Sequence, residues 1–154
     1  HHAAGHEVVI VSASAEAIVR PVMRLLEAEG MLATALEEED GTYTGGITYY
    51  NYGDAKPAAM EALAERRGWD LSRCWAYSDS ITDEPMLRAV GHAVAVNPDR
   101  ALARIAREEG WTIRQFSKPV PLRRQDQVST AAVLGGVALI VGTIILIRRL
   151  KSRT

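Results

Sequence analysis

Hydrophobic and polar positions change period several times along this chain, and the changes mark its elements. Glu7-Val8-Val9-Ile10-Val11 is a short apolar run without alternation, the pattern of a strand covered on both faces in a parallel sheet. Ser12-Ala13-Ser14 ends it. Over residues 15–29 the apolar positions Ile18, Val19, Val22, Met23, Leu25 and Leu26 recur at helical spacing. This predicts a helix with Ser14 as its N-cap and Gly30 as its stop, strained early by Pro21. Residues 31–34 read as another strand. Asp40-Gly41 lies between Leu36-Glu37-Glu38-Glu39 and Thr42-Tyr43-Thr44, a two-residue hairpin signal that predicts a small antiparallel flap.

Residues 47–52 are rich in strand formers and end at Gly53; a helix over 57–67 would turn Met60, Leu63 and Ala64 toward the sheet and stop at Gly68. The alternation continues with a strand at 74–77, a helix at 84–90, a strand at 93–96, a helix at 99–109 stopped by Gly110, and a strand at 111–116. Strands alternating with short helices predict the α/β class, an open, mostly parallel, Rossmann-like sheet occupying residues 1–116.

Residues 117–127, with Pro119, Pro121, Arg123 and Arg124, have no periodicity and read as a linker. Residues 128–147 then run for 20 positions without a charge. At about 1.5 Å per residue a helix of that length spans about 30 Å, the hydrocarbon thickness of a bilayer. One transmembrane helix is predicted there, since a buried core helix is usually shorter and would not stand outside the α/β alternation. Ala132 with Gly136, and Ala138 with Gly142, have a spacing that lets two helices approach closely, so a homodimer through the membrane is compatible with the pattern.

Charge sharpens this division. The net charge of -1 conceals a split, because all 19 acidic residues precede the basic tail at 148–154, which carries Arg148, Arg149, Lys151 and Arg153. Residues 1–147 carry 14 - 19 = -5 and the tail +4. The tail suits anionic head groups, at about 1 kcal/mol per basic residue near the surface, and neither part suggests nucleic acid. Cys74 is the only cysteine, which excludes an intramolecular disulfide and a four-thiolate zinc site and suits a reducing compartment. Basic residues flank the apolar run on both sides, so they do not orient it. The lone cysteine and the lack of a visible signal sequence place the α/β part on the cytoplasmic side of a single-pass protein. The chain begins His1-His2 without methionine, and Ala3-Ala4-Gly5-His6 reads as a helix end leading into the first strand of a longer protein.

Four residues could carry chemistry. Ser12 and Asp79 follow strand ends directly, where open α/β sheets bind ligands. Asp83 lies four residues after Asp79, and the two carboxylates could hold a hard cation such as Mg²⁺. Asp83 could equally cap the helix that has Pro85 in its first turn, and Asp79 could be a solvated loop residue. Lys56 opens a helix, where the macrodipole disfavours a cation by several tenths of a kcal/mol, so an anion nearby would explain it. No Gly-x-Gly-x-x-Gly follows the first strand, which argues against a dinucleotide site.

The order of these residues resembles the second, third and fourth motifs of the haloacid dehalogenase-like phosphohydrolases. Val8-Val9-Ile10-Val11-Ser12-Ala13-Ser14 is similar to the second motif, Gly53-Asp54-Ala55-Lys56 to the third, and Tyr77-Ser78-Asp79-Ser80-Ile81-Thr82-Asp83 to the fourth. The Asp40-Gly41 flap and Ala93-Val94-Ala95-Val96-Asn97-Pro98-Asp99 resemble the subfamily that includes phosphoserine phosphatase, often called subfamily IB. The resemblance implies hydrolysis of a phosphate monoester, carried by a small phosphorylated metabolite, through an aspartyl-phosphate with Mg²⁺ bound. It implies that Ser12 hydrogen-bonds a phosphoryl oxygen and that Lys56 neutralises charge on nucleophile and phosphoryl group. Asp79 would ligate Mg²⁺ directly, and Asp83 through water or by orienting the ligands. Ala13, Ser14, Ser80, Thr82 and Asn97 would lie against the substrate or behind the metal ligands. The chain departs from the pattern in three ways: it has no Asp-x-Asp-x-Thr, the motif that supplies the family's nucleophile; no cap domain is visible; and Ala13-Ser14 stands where phosphoserine phosphatases usually have Gly-Gly. These residues alone are therefore expected to be inactive, and a membrane-tethered pseudophosphatase serving as an interaction module is the alternative.

Overall fold

The opening apolar run becomes strand β1 (His6–Ala15), entered through a 3-10 turn over His2–Ala4 that closes at Gly5, φ 71°. The structure, a computed structural model, describes residues 1–117 and, for residues 144–149, the backbone. After β1 come α1 (Glu16–Leu25), β2 (Gly30–Glu39), β3 (Thr42–Tyr49), α2 (Ala55–Arg67), β4 (Trp75–Ser78), α3 (Glu84–Arg88), β5 (His92–Val96), α4 (Arg100–Glu108), β6 (Thr112–Arg114) and β7 (Ile144–Arg149). They build one sheet in the order β3-β2-β1-β7-β4-β5-β6. The pairs β1–β2, β4–β5 and β5–β6 are parallel, as the α/β alternation predicts, while β3 closes a hairpin on β2 and β7 runs antiparallel to both of its neighbours.

Burial explains why β1 is apolar without alternation. Val9 and Val11 belong to a core shared with Met60 and Ala64 of α2, Met86 and Leu87 of α3, and Leu102 and Ala106 of α4. Ile10 packs on the other side with Val19 of α1 and Ala33 of β2. Both faces of the strand are thus covered. Burying each such aliphatic side chain contributes about 1.5–3 kcal/mol.

Several boundaries differ from the expected ones for physical reasons. Ser14 does not cap α1: β1 continues to Ala15, which pairs with Thr34 and occupies the N-cap position without a side-chain bond. The helix ends at Leu25, and Glu27 turns the chain at φ 53°. Gly30 is therefore no helix stop but the first residue of β2, set opposite Val9. The hairpin forms where expected, with Asp40 and Gly41 both at positive φ, 50° and 77°, as a primed turn requires. The segments expected at 42–44 and 47–52 merge into the single strand β3, which ends at Tyr49 and leaves residues 50–52 in the connection to α2.

The expected linker and most of the expected membrane helix, residues 118–143, lie outside the described residues. Their last four apolar positions are corrected: residues 144–147 are strand, together with Arg148 and Arg149 of the basic tail. β1 and β4 each need a backbone partner on their facing edges, and the isoleucine-rich β7 supplies one to both. Among the described residues no helix is long and apolar enough to cross a membrane.

Candidate phosphoryl-binding site

Sheet register sets two of the candidate residues on parallel strands. Val9 of β1 and Ala76 of β4 both pair with Leu146, so β1 and β4 run parallel with one strand between them. Three residues further on lie Ser12, in the irregular stretch of β1, and Asp79, just past the end of β4, both toward the carboxyl ends of their strands. Two strand spacings separate their backbones, about 10 Å. Ser12 is buried, and its Oγ accepts the Ser14 N–H at 3.1 Å. The hydroxyl proton remains to be donated outward.

Lys56, in the first turn of α2, is only 3% exposed. Its Nζ lies 2.5 Å from Asp83 Oδ1, and Ser78 Oγ donates to Asp83 Oδ2 at 2.7 Å. The cation that opens a helix is thus explained by a buried carboxylate. Asp83 occupies the N-cap position of α3 but makes no capping bond there, which removes the capping explanation for this residue. Asp79 is half-buried, and burial holds its carboxyl above the ordinary range; its own backbone N–H works against this. The negative charges of Asp83 and Asp99 push it up further, and Lys56 pulls it down. Such a carboxylate is no ordinary solvated loop residue.

The loop between Asp79 and Asp83 is tied internally. Ser80 N donates to Ser78 Oγ at 3.1 Å, and Ser80 Oγ meets Thr82 Oγ1 at 3.0 Å. Asp99 braces the loop from outside: its N–H donates to Asp79 O, and its carboxylate accepts from Ile81 N and Leu102 N, each at 2.8 Å. The Leu102 N–H above all holds the Asp99 carboxyl below the ordinary range, with Ile81 assisting against partial desolvation. Ala13 and Ser14 lie in the irregular stretch of β1 that follows Ser12. Asn97, at φ 43°, is turned to the chain beyond β6, accepting from Phe116 N at 2.8 Å and donating to Phe116 O at 3.2 Å. The structure thus joins Lys56 to Asp83 and couples both to Asp79, puts Ser12 on the parallel strand β1 with its own bonds at the irregular stretch, and engages Asn97 with Phe116. Sequence reasoning did not find Ser78 or Asp99. Ser78 closes a strand directly before Asp79, and that position was its one signal in the sequence.

The donor set fits a particular kind of cation. Asp79 has a carboxylate whose ionised form is disfavoured by burial and by two neighbouring negative charges, and a cation would relieve both. Each Asp83 oxygen already accepts one bond, which suits contact through water. Among the described residues no three of His, Cys, Asp and Glu gather as a metal cage. A hard cation that keeps several waters and takes one or two carboxylates suits this arrangement.

Fold and site together define the class: an α/β protein with a lysine-acid cluster beyond the carboxyl end of one of its parallel strands. The model of the haloacid dehalogenase-like hydrolase family matches residues 1–88, more than half of the 154. The chain belongs to that family. It is 48% identical over 140 residues to a Mycobacterium tuberculosis protein named probable phosphatase, covering 91% of this chain and 49% of that one. It is 44% identical over 117 residues to a phosphoserine phosphatase of the same organism, covering 75% of this chain and 38% of that one. Among solved structures, the unliganded probable phosphoserine phosphatase from Vibrio cholerae superposes with a TM-score of 0.64 at 22% identity, covering 91% of this chain and 38% of that one, a likeness of fold. The chain spans about half the length, or less, of these curated relatives.

Proposed function

We propose that these residues form the metal- and phosphate-binding part of a Mg²⁺-dependent hydrolase of small phosphate monoesters. The observation that carries this is the buried Lys56–Asp83 pair beside a half-buried Asp79. Phosphoryl transfer depends chiefly on positioning and charge neutralisation. In this reading Ser12 donates its hydroxyl proton to a phosphoryl oxygen, and the Lys56 ammonium faces the negative charge of the transferring group. Asp79 ligates Mg²⁺, and Asp83, held by Lys56 and Ser78, orders its waters. The metal when bound supplies Lewis-acid neutralisation of the phosphoryl charge. The names of the two mycobacterial relatives support a phosphate ester as substrate. The attacking carboxylate implied by the family resemblance is not among these 154 residues, and none of the four roles depends on it.

The full-length protein that carries this chain is expected to cleave p-nitrophenyl phosphate with Mg²⁺ and to stop when the metal is chelated. Phosphate binding without cleavage, with or without metal, would instead favour a non-catalytic interaction module.

We further propose that the protein reaches a lipid bilayer through the apolar run at 128–147, with the cytoplasmic leaflet on the side of the α/β domain. The 16 residues 128–143, helical at about 1.5 Å each, reach about 24 Å, short of the ~30 Å hydrocarbon. A span over 128–147 and strand β7 are therefore alternative arrangements of residues 144–147, and the geometry of the candidate site belongs to the one in which they pair with β1 and β4. Membranes bearing the full-length protein are expected to retain it through an alkaline carbonate wash; release into the supernatant overturns the anchor.

A further inference from the structure

The β1–β2 ladder breaks beside the proposed phosphoryl site. Val11 pairs with Leu32 and Ala15 with Thr34, so β1 advances four residues while β2 advances two. Residues 12–14 bulge out of register, and a bulge leaves backbone groups without their ladder partners. Unpaired buried carbonyls are costly and need substitutes.

Two side chains supply them. Asn51 is fully buried, and its Nδ2 donates to Ser12 O at 3.0 Å and to Leu32 O at 2.8 Å. Thr34, also buried, donates its hydroxyl to Ala13 O at 2.7 Å and accepts Asn51 N–H at 3.2 Å. Both amide protons of Asn51 and the single proton of Thr34 are thereby committed. The Tyr49 hydroxyl is shared between Asn51 Oδ1 at 3.2 Å and Ala55 O at 3.1 Å, which extends the same network to the residue before Lys56.

We propose that Asn51 and Thr34 are positioning residues for phosphate binding: they fix the Ser12–Ala13–Ser14 bulge and so aim the Ser12 hydroxyl. This rests on the proposed role of Ser12. Asn51 and Thr34 satisfy the consecutive carbonyls of Ser12 and Ala13, so the segment they hold is the one that carries the Ser12 hydroxyl. The bulge in turn places Ser14 N on Ser12 Oγ, which leaves the hydroxyl with its one proton to give.

Thr34→Val keeps the volume and removes the donor, and Thr34→Ser restores it. In the 154-residue chain, amide hydrogen exchange at Ser14 is expected to speed by about tenfold or more in Thr34→Val, with little change at Ala76 in β4 and recovery in Thr34→Ser. Asn51→Ala is expected to have the same local effect. In the full-length protein kcat/KM for p-nitrophenyl phosphate is expected to fall by about 10- to 100-fold in Thr34→Val and return in Thr34→Ser. Unchanged Ser14 exchange, or loss of protection spread equally to β4, overturns the positioning role whatever the activity. A wild-type protein that cleaves no phosphate ester, with the exchange pattern as expected, would defeat the proposed function and leave the bulge lock standing.

Discussion

Replacing Lys56 by methionine is expected to lower the unfolding free energy by about 3–5 kcal/mol, because it leaves a buried carboxylate without its counter-charge. Asp83 has only 1% of its side chain exposed and Lys56 4%, so water cannot take over the role of the lost ammonium. For a domain of this size the transition midpoint should fall by more than about 10 °C. The double variant Lys56→Met, Asp83→Asn removes the stranded charge while Ser78 can still bond the amide, and it should recover much of the loss. A thermodynamic cycle of the four proteins reads the coupling directly. A single-variant cost below about 1 kcal/mol would mean that the pair is solvated in solution and behaves as a surface bridge.

The same pair shows what the sequence could and could not reveal. The puzzle of a lysine opening a helix was visible in Lys56-Pro57, and so was the nearness of two acids to a strand end. Which acid answered the lysine was not, because Lys56 and Asp83 are 27 residues apart and meet only through the packing of α2 against α3. Local signals performed well where local physics decides. The unalternated run of β1, the Asp40-Gly41 turn and the left-handed Gly68 after α2, φ 65°, all stand where the residues put them. Boundaries failed where pairing between distant segments overrode propensity. Ser14 has the chemistry of a cap, yet β1 runs on past it to pair Ala15 with Thr34. Residues 144–147 have the composition of a membrane span and equally that of a central strand, and hydropathy alone does not distinguish the two. Asn51 was hidden for a related reason: the sequence put it in a strand over 47–52 as one polar residue among strand formers, and only the bulge in β1, 39 residues away from it at Ser12, supplies its role.

Substituting Asp79 by asparagine should separate stability from function. An acid whose folded pKa is raised binds its proton more tightly in the native state than in the unfolded one. Its contribution is therefore most favourable in acid and is lost as pH rises through the ordinary carboxylate range toward the raised native value. At neutral pH without metal, the ionised Asp79 is disfavoured by burial and by Asp83 and Asp99. Asp79→Asn is then expected to melt higher than the parent, with the difference vanishing at acid pH. Mg²⁺ should invert the order, since ligand binding stabilises by about 2.7 kcal/mol at a hundredfold excess over Kd, and only the parent retains the carboxylate that would hold the ion. The full-length Asp79→Asn protein should lose about 10²-fold or more of its phosphatase activity, as expected when charge stabilisation at the transition state is removed. A variant that keeps the Mg²⁺-induced rise in melting temperature would show that the ion binds elsewhere. One that melts lower than the parent at neutral pH without metal would show that Asp79 is held by favourable contacts, and that its burial is not the strain of a carboxylate waiting for a cation.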